Sequence, residues 1–210
     1  MGTSAKPDVS IGQLSVSTYE VPTDSPESDG TFAWRKTTLV VVELEAGGAR
    51  GLGYTYADGA TAVLIDSLAD VIRGRDPLDI AGAWTALVRR IRNLGRPGIC
   101  SMAIAAIDNA LWDLKARLLG LPLAKLLGRA HEGVQAYGSG GFTSYSIEEL
   151  QKQLGQWAEQ GFRAVKMKVG ARPEEDLARV VAARRAIGES VALYVDANGA
   201  YSRKQALAFA

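Results

Sequence analysis

The chain has 210 residues, 47% of them hydrophobic and 22% charged, with a formal net charge of +1. So even a balance carries neither the basic footprint of a nucleic-acid binder nor that of a protein docked on anionic membrane, and small-molecule partners are expected instead. A single cysteine, Cys100, excludes an intramolecular disulfide and fits a reducing cytoplasm, the opening MGTSAKPDVS lacks the apolar stretch of a secretory signal, and no apolar run is long enough to span a bilayer.

From Ser15 to Tyr56 the pattern predicts three strands, LSVSTYEV, TTLVVVELEA and GLGYTYA, with Gly47-Gly48 as the hairpin turn between the last two. The connection between the first two, PTDSPESDGTF, is polar, rich in Pro, Asp and Ser, and long for a hairpin. It reads as a mobile surface loop, either a solvated linker or a substrate lid. The period then becomes helical. Asp58 is a candidate cap for a helix to about Ile72. Asp76 is a candidate N-cap, with Pro77 at the first helical position, for a second helix through DPLDIAGAWTALVRRIRNLG. A third, SMAIAAIDNALWDLKARLLG, is apolar almost all round and ends at Gly120, which predicts burial between neighbours, with Met102, Trp112 and Leu118 as packing residues.

From Gln135 strands and helices alternate. VQAYGS precedes a helix opening at Ser146 with Glu149 three residues on, a capping box. FRAVKMKV precedes a helix from about Pro173 to Ile187, and VALYVDA precedes one opening at Ser202 with Gln205 as its box partner. A repeat of roughly 30 residues is that of a βα unit in a parallel sheet or barrel. The last helix stops at Ala210 without a C-terminal cap and the three strands leave an open edge, so the chain is expected to be the front part of a longer protein.

Side chains alternate across a strand, so Lys166 and Lys168 share one face while Val165, Met167 and Val169 take the other. A lysine pair on an edge strand or solvated face would protect against aggregation. A strand between two helices is instead covered on both faces, and two buried ammonium groups would depress at least one pKa toward that of a base. The next strand ends in Asp196-x-Asn198-Gly199, which is either a side-chain-stabilised turn or a polar pair at the strand end where barrel folds place their active sites. All four residues stand at the ends of consecutive strands and can meet at one mouth, suiting an anionic substrate. One carboxylate is too few for a divalent metal without further ligands. The run Gly138 to Gly141 lacks the Lys-Ser/Thr of a phosphate loop and reads as a close-approach βα loop. His131 is the only histidine and reads as structural or exposed, which disfavours a Ser-His-Asp triad.

The segment Ala103 to Gly128, with Ile107-Asp108-x-Ala110-Leu111-Trp112-Asp113 and Pro122-Leu123-x-x-Leu126-Leu127-Gly128, closely resembles the signature of the mandelate racemase/muconate lactonizing enzyme family of the enolase superfamily. KMK and DANGAY fall where that family has its Lys-x-Lys and its first metal-binding Asp. The resemblance implies an α/β protein with α+β: an N-terminal α+β capping domain over 1–130, then the first three βα units, 131–210, of a modified TIM-type (β/α)7β barrel. It implies a racemase, epimerase, cycloisomerase or acid-sugar dehydratase that uses Mg²⁺ to abstract the α-proton of a hydroxy-acid or acid-sugar carboxylate through an enediolate. By position, Lys168 resembles the catalytic acid/base, Lys166 the catalytic partner that also contacts the substrate carboxylate, Asp196 the first metal ligand and Asn198 a substrate neighbour. PTDSPESDGTF, with Asp24, resembles the mobile specificity loop, and GLGYTYA, with Tyr54, the second pocket loop. The expected setting is a cytoplasmic homo-oligomer when complete, with no nucleic-acid or membrane partner. The family's remaining carboxylate ligands and opposing base are not among the 210 residues. Other readings of the same residues are a Schiff-base aldolase-like barrel using Lys168, and an inactive scaffold.

Overall fold

The computed structural model describes residues 9–209. Most of the opening MGTSAKPDVS, and Ala210, lie outside the described residues. The chain forms two compact units, one of residues up to Val21 and from Lys36 to Glu132, the other of Pro22–Arg35 with Gly133 onward.

The first unit holds most of the sheet β1-β2-β3, formed by Gln13–Ser28, Ala33–Ala46 and Ala49–Tyr56, and the helices α1 (Ala60–Ile72), α2 (Ile80–Arg90), α3 (Ile99–Leu118) and α4 (Leu123–Leu126). The turn between β2 and β3 is Gly47-Gly48, both at positive φ (55° and 76°), where glycine carries no steric penalty. Alternation along β2 buries Val40, Val42, Leu44 and Ala46 against Ile65, Leu68 and Ile72 of α1, Leu87 of α2 and Ile104, Ile107 and Leu111 of α3. Trp112 and Leu118 pack on this core, whereas Met102, expected as a packing residue, is exposed. Asp58 accepts the amide of Ala60 in the turn that precedes α1, but the N-cap of that helix is Gly59, one residue later than the sequence expectation, and no side chain caps it. The start of α2 differs from the sequence expectation. Asp76 accepts the Leu78 amide in a preceding turn, and Asp79 caps the helix by accepting the Gly82 amide at 2.9 Å. Two capping aspartates three residues apart compete, and the one nearer the apolar-periodic run wins.

The second unit contains β4 (Gly138–Ser139), α5 (Ile147–Glu159), β5 (Ala164–Lys168), α6 (Pro173–Ile187), β6 (Ala192–Asp196) and α7 (Arg203–Phe209). The three strands are parallel in the order β4-β5-β6, with Ser139 opposite Lys166 and Lys168 opposite Asp196. Val165, Met167 and Val169 are buried with Leu150 and Leu154 of α5 and Ala183 and Ile187 of α6. The Ser146/Glu149 capping box forms in both directions. β4 is shorter than VQAYGS suggests, since only Gly138 and Ser139 pair with β5. Gly138 to Gly141 is a close-approach loop: a Cβ at Gly138 would lie 2.4 Å from the Trp157 ring, and one at Gly141 2.6 Å from Met167 Cβ.

PTDSPESDGTF is not an irregular loop. β1 runs on through Ser28, and a tight turn at Asp29 leads into β2. The Asp29 carboxylate accepts the amides of Thr31 (2.7 Å) and Phe32 (2.9 Å), so the turn satisfies its own backbone. The Thr143 amide donates to Ser28 O and the Thr143 hydroxyl to Asp29 O, at 2.9 and 2.8 Å. Phe142 meets Trp34 edge-on. Polar composition suggested a solvated loop, but Ser28 and the carbonyls of Pro26 and Asp29 have partners on the β4–α5 loop. Among the described residues, no helix is long and apolar enough to cross a membrane.

Candidate active site

Alternation on β5 turns Lys166 and Lys168 toward one face, and parallel pairing brings Asp196, at the end of β6, beside Lys168. Lys168 Nζ donates to Asp196 Oδ2 at 2.8 Å and to Asn198 Oδ1 at 2.9 Å, and Lys166 Nζ lies 3.3 Å from the same Oδ2. Asn198 occupies the left-handed region at φ 50°, which asparagine tolerates, and its amide donates to Asp196 Oδ1. The Asp-x-Asn-Gly turn and the polar cluster are therefore one structure: the turn aims Asn198 at Lys168. The two lysine side chains are only 21% and 13% exposed, so the pair does not lie on a solvated face. They meet across a shared carboxylate. The Lys168 hydrogen bond, against the opposing effect of burial and with help from the Asn198 amide and Lys166, lowers the Asp196 pKa to about 2.

The structure adds two residues to this cluster. Tyr137, just before β4, places its ring 5.5 Å from Lys166 Nζ and meets Tyr194 edge-on. Asp29 lies in the field of Lys168. Burial raises its pKa, but the Thr31 and Phe32 amides, the Thr31 hydroxyl and the Lys168 charge together bring it below the usual value. The hairpin turn is seated directly on the two strand ends, since a Cβ at Gly30 would come within 2.6 Å of Ala197 O and 2.7 Å of Val169 O. Asp29 is thus the hairpin carboxylate in the field of Lys168, while Asp24 is exposed on β1 and hydrogen-bonds none of the cluster. The Asp-Gly dipeptide was the available signal, being a strong turn former. Tyr54 belongs to the first unit. It is exposed, meets Tyr56 edge-on, and lines a cleft of about 620 Å³ with Asp108, Trp112 and Arg117; burial raises the pKa of Asp108.

Tyr201, three residues beyond Asn198, donates its hydroxyl to the buried Asp176 carboxylate. Burial, then that carboxylate, pushes the Tyr201 phenol above its ordinary value. A raised acid favours folding while it stays protonated, so its contribution is complete below the unfolded value of about 10 and is lost as pH rises from there toward the folded value. Unfolding by urea at pH 9 and pH 11 is expected to show a larger loss of stability in the wild type than in Tyr201→Phe.

Residues 13–128 match the family model of the mandelate racemase/muconate lactonizing enzyme N-terminal domain, and residues 149–210 match the enolase C-terminal domain-like model. The chain belongs to the mandelate racemase/muconate lactonizing enzyme family. Its fold is accordingly that family's N-terminal α+β domain followed by parallel strands of the barrel. An L-talarate/galactarate dehydratase of Salmonella typhimurium is 34% identical, over 98% of this chain and 55% of the relative. Its crystal structure, liganded with Mg and L-lyxarohydroxamate, superposes with a TM-score of 0.90 at 32% identity over 100% of this chain and 57% of that one. A 3,6-anhydro-alpha-L-galactonate cycloisomerase of Streptomyces coelicolor is 37% identical over 90% of this chain and 54% of the relative. The crystal structure of a mandelate racemase/muconate lactonizing enzyme-like protein from Rubrobacter xylanophilus gives a TM-score of 0.94 at 58% identity, covering 95% of this chain and 56% of that one. The chain thus spans about half the length of the relatives it matches.

Proposed function

We propose that this family member abstracts the α-proton of an acid-sugar carboxylate, with Lys168 as the base. The observation that supports the reading most strongly is the convergence of Lys166, Lys168, Asp196 and Asn198 at the ends of adjacent parallel strands. Relatives with this architecture are acid-sugar dehydratases and cycloisomerases. Lys168 Nζ, as the free amine, takes the proton from the carbon next to the carboxylate. Lys166 keeps its charge, holds a carboxylate oxygen and offsets the negative charge that develops as an enediolate forms. The Asn198 amide orients the substrate and keeps Lys168 Nζ at the strand end.

Asp196 and Asn198 offer hard oxygen donors of the type Mg²⁺ takes, and no group of three metal-ligating side chains is present among the described residues. The donor chemistry fits, with Asp196 as the one carboxylate ligand this chain would contribute. A bound Mg²⁺ supplies Lewis-acid stabilisation of the substrate carboxylate oxygens. A near-neutral charge and a single cysteine support a cytoplasmic setting without nucleic-acid or membrane partners. Loss of the α-proton and of a hydroxide from the neighbouring carbon leaves an enol that tautomerises to a 2-keto acid, so dehydration has a direct assay. Full-length protein with Mg²⁺ is expected to convert at least one aldarate or aldonate in an acid-sugar panel to a semicarbazide-reactive keto acid, or to its epimer or lactone, and Asp196→Asn is expected to abolish that conversion. Unaltered substrates throughout the panel would reject the reading.

A further inference from the structure

We propose that Asp176 and Arg179, one turn apart on α6, form a buried clasp that positions all three loops leaving the parallel strands, and through them Lys168 and Asp196. This inference rests on the functional reading above for its catalytic consequence, but its geometry stands without it. Both side chains are polar groups where a packing helix would ordinarily place apolar ones: Asp176 is 1% exposed and Arg179 5%. Neither is engaged in holding α6 to itself. Asp176 Oδ2 accepts the Gly170 amide at 2.9 Å and the Tyr201 hydroxyl. Gly170 is two residues beyond Lys168, and Tyr201 three beyond Asn198. One carboxylate therefore ties the loop after β5 to the loop after β6.

Arg179 does the same for the loop after β4. Its Nη1 donates to Tyr145 O at 2.7 Å and its Nη2 to Phe142 O at 2.8 Å, while Nε has no partner. The guanidinium fork spans the two carbonyls that bracket Thr143 and Ser144, and these two residues hold the hairpin turn. Thr143 contacts the Ser28 hydroxyl at 2.6 Å and donates to Asp29 O, and Ser144 donates to Pro26 O. The clasp thus reaches from α6 to the hairpin seated on the strand ends. Burial lowers the Arg179 pKa, with the Asp176 charge acting in the opposite sense. A planar fork with fixed donors suits this task, whereas lysine could serve one carbonyl only. Replacing either member leaves the other's loop partners in place but frees a buried carbonyl, amide or hydroxyl.

The test uses Tyr201→Phe, which removes one hydroxyl and keeps the ring, and Arg179→Met with Arg179→Lys as the conservative variant. Hydrogen exchange by mass spectrometry, without substrate, is expected to quicken about 10-fold in segments 168–172 and 196–202 for Tyr201→Phe, and in 139–146 and 26–32 for Arg179→Met, with α5 protection unchanged. Arg179→Lys is expected to fall between Arg179→Met and wild type. In the full-length protein the same substitutions are expected to lower kcat about 10-fold with little change in KM, as a group acting through Lys168 should. Loop exchange unchanged from wild type, or quickened equally throughout α5 and the loops, overturns the clasp. If wild-type protein turns over nothing, the functional reading fails while the exchange pattern still decides whether the clasp exists.

Discussion

Lys168→Met in the full-length protein is expected to lower turnover by about 10²–10⁴-fold, the range that a positioned general base contributes, with far less effect on KM. The geometry explains the separation. Lys168 Nζ touches Asp196 and Asn198, and methionine keeps the aliphatic stem while removing the only atom that can accept the proton. Lys166 remains 3.3 Å from Asp196, so the carboxylate stays paired and the strand ends keep their arrangement. Lys166→Met is expected to raise KM as well as lower kcat, because the same ammonium holds the substrate carboxylate and offsets the developing charge. Steady-state kinetics on whichever acid sugar is converted measures both. Equal loss of kcat in the two variants with unchanged KM would assign the two lysines a single shared role.

Gly53→Ala is expected to destabilise the first unit by about 3 kcal/mol, the upper range for forced overpacking. β3 lies against α3 so closely that a Cβ at Gly53 would stand 2.0 Å from Ala106 O and 2.5 Å from the Ala110 amide nitrogen. Both atoms are helix backbone and cannot rotate aside. Gly51 makes the same approach one pleat away, at 2.3 Å from Ala110 O. The matched control is Gly59→Ala at the start of α1, where no atom lies within 4 Å and the backbone is already helical. That change is expected to be neutral or slightly stabilising. Denaturant midpoints of Gly53→Ala and Gly59→Ala separate close packing from a generic effect of adding a methyl group.

Which features could be read from the chain follows from the range of the forces involved. The Gly47-Gly48 turn, the Ser146/Glu149 box and the lysine face of β5 depend on neighbours within a few residues, and each is legible as local chemistry. The buried helix signature with KMK and DANGAY points to the family, which the matched domain models establish. The long hairpin was not legible, because its polar residues find partners at Thr143 and Ser144, more than a hundred residues away, and composition alone makes such a stretch look solvated. A comparable separation hid the seating of the hairpin turn on the strand ends, and the link from Asp176 to Tyr201 spans 25 residues, still beyond local chemistry. The start of α2 was misplaced for the opposite reason: two equally good local caps lay three residues apart, and only the packing of Ile80 and Ala83 separates them.

The central claim is that Lys168 removes a proton from the carbon beside a carboxylate. It is tested most directly by incubating full-length protein and Mg²⁺ with an acid sugar in D₂O and following the α-carbon and its neighbour by NMR. Solvent deuterium is expected at the α-carbon of recovered substrate or of an epimer or, where water is lost, at the carbon next to the keto group of the 2-keto acid, with the signal absent in Lys168→Met. Conversion with no solvent deuterium at either carbon, or unchanged incorporation by Lys168→Met, would contradict the account.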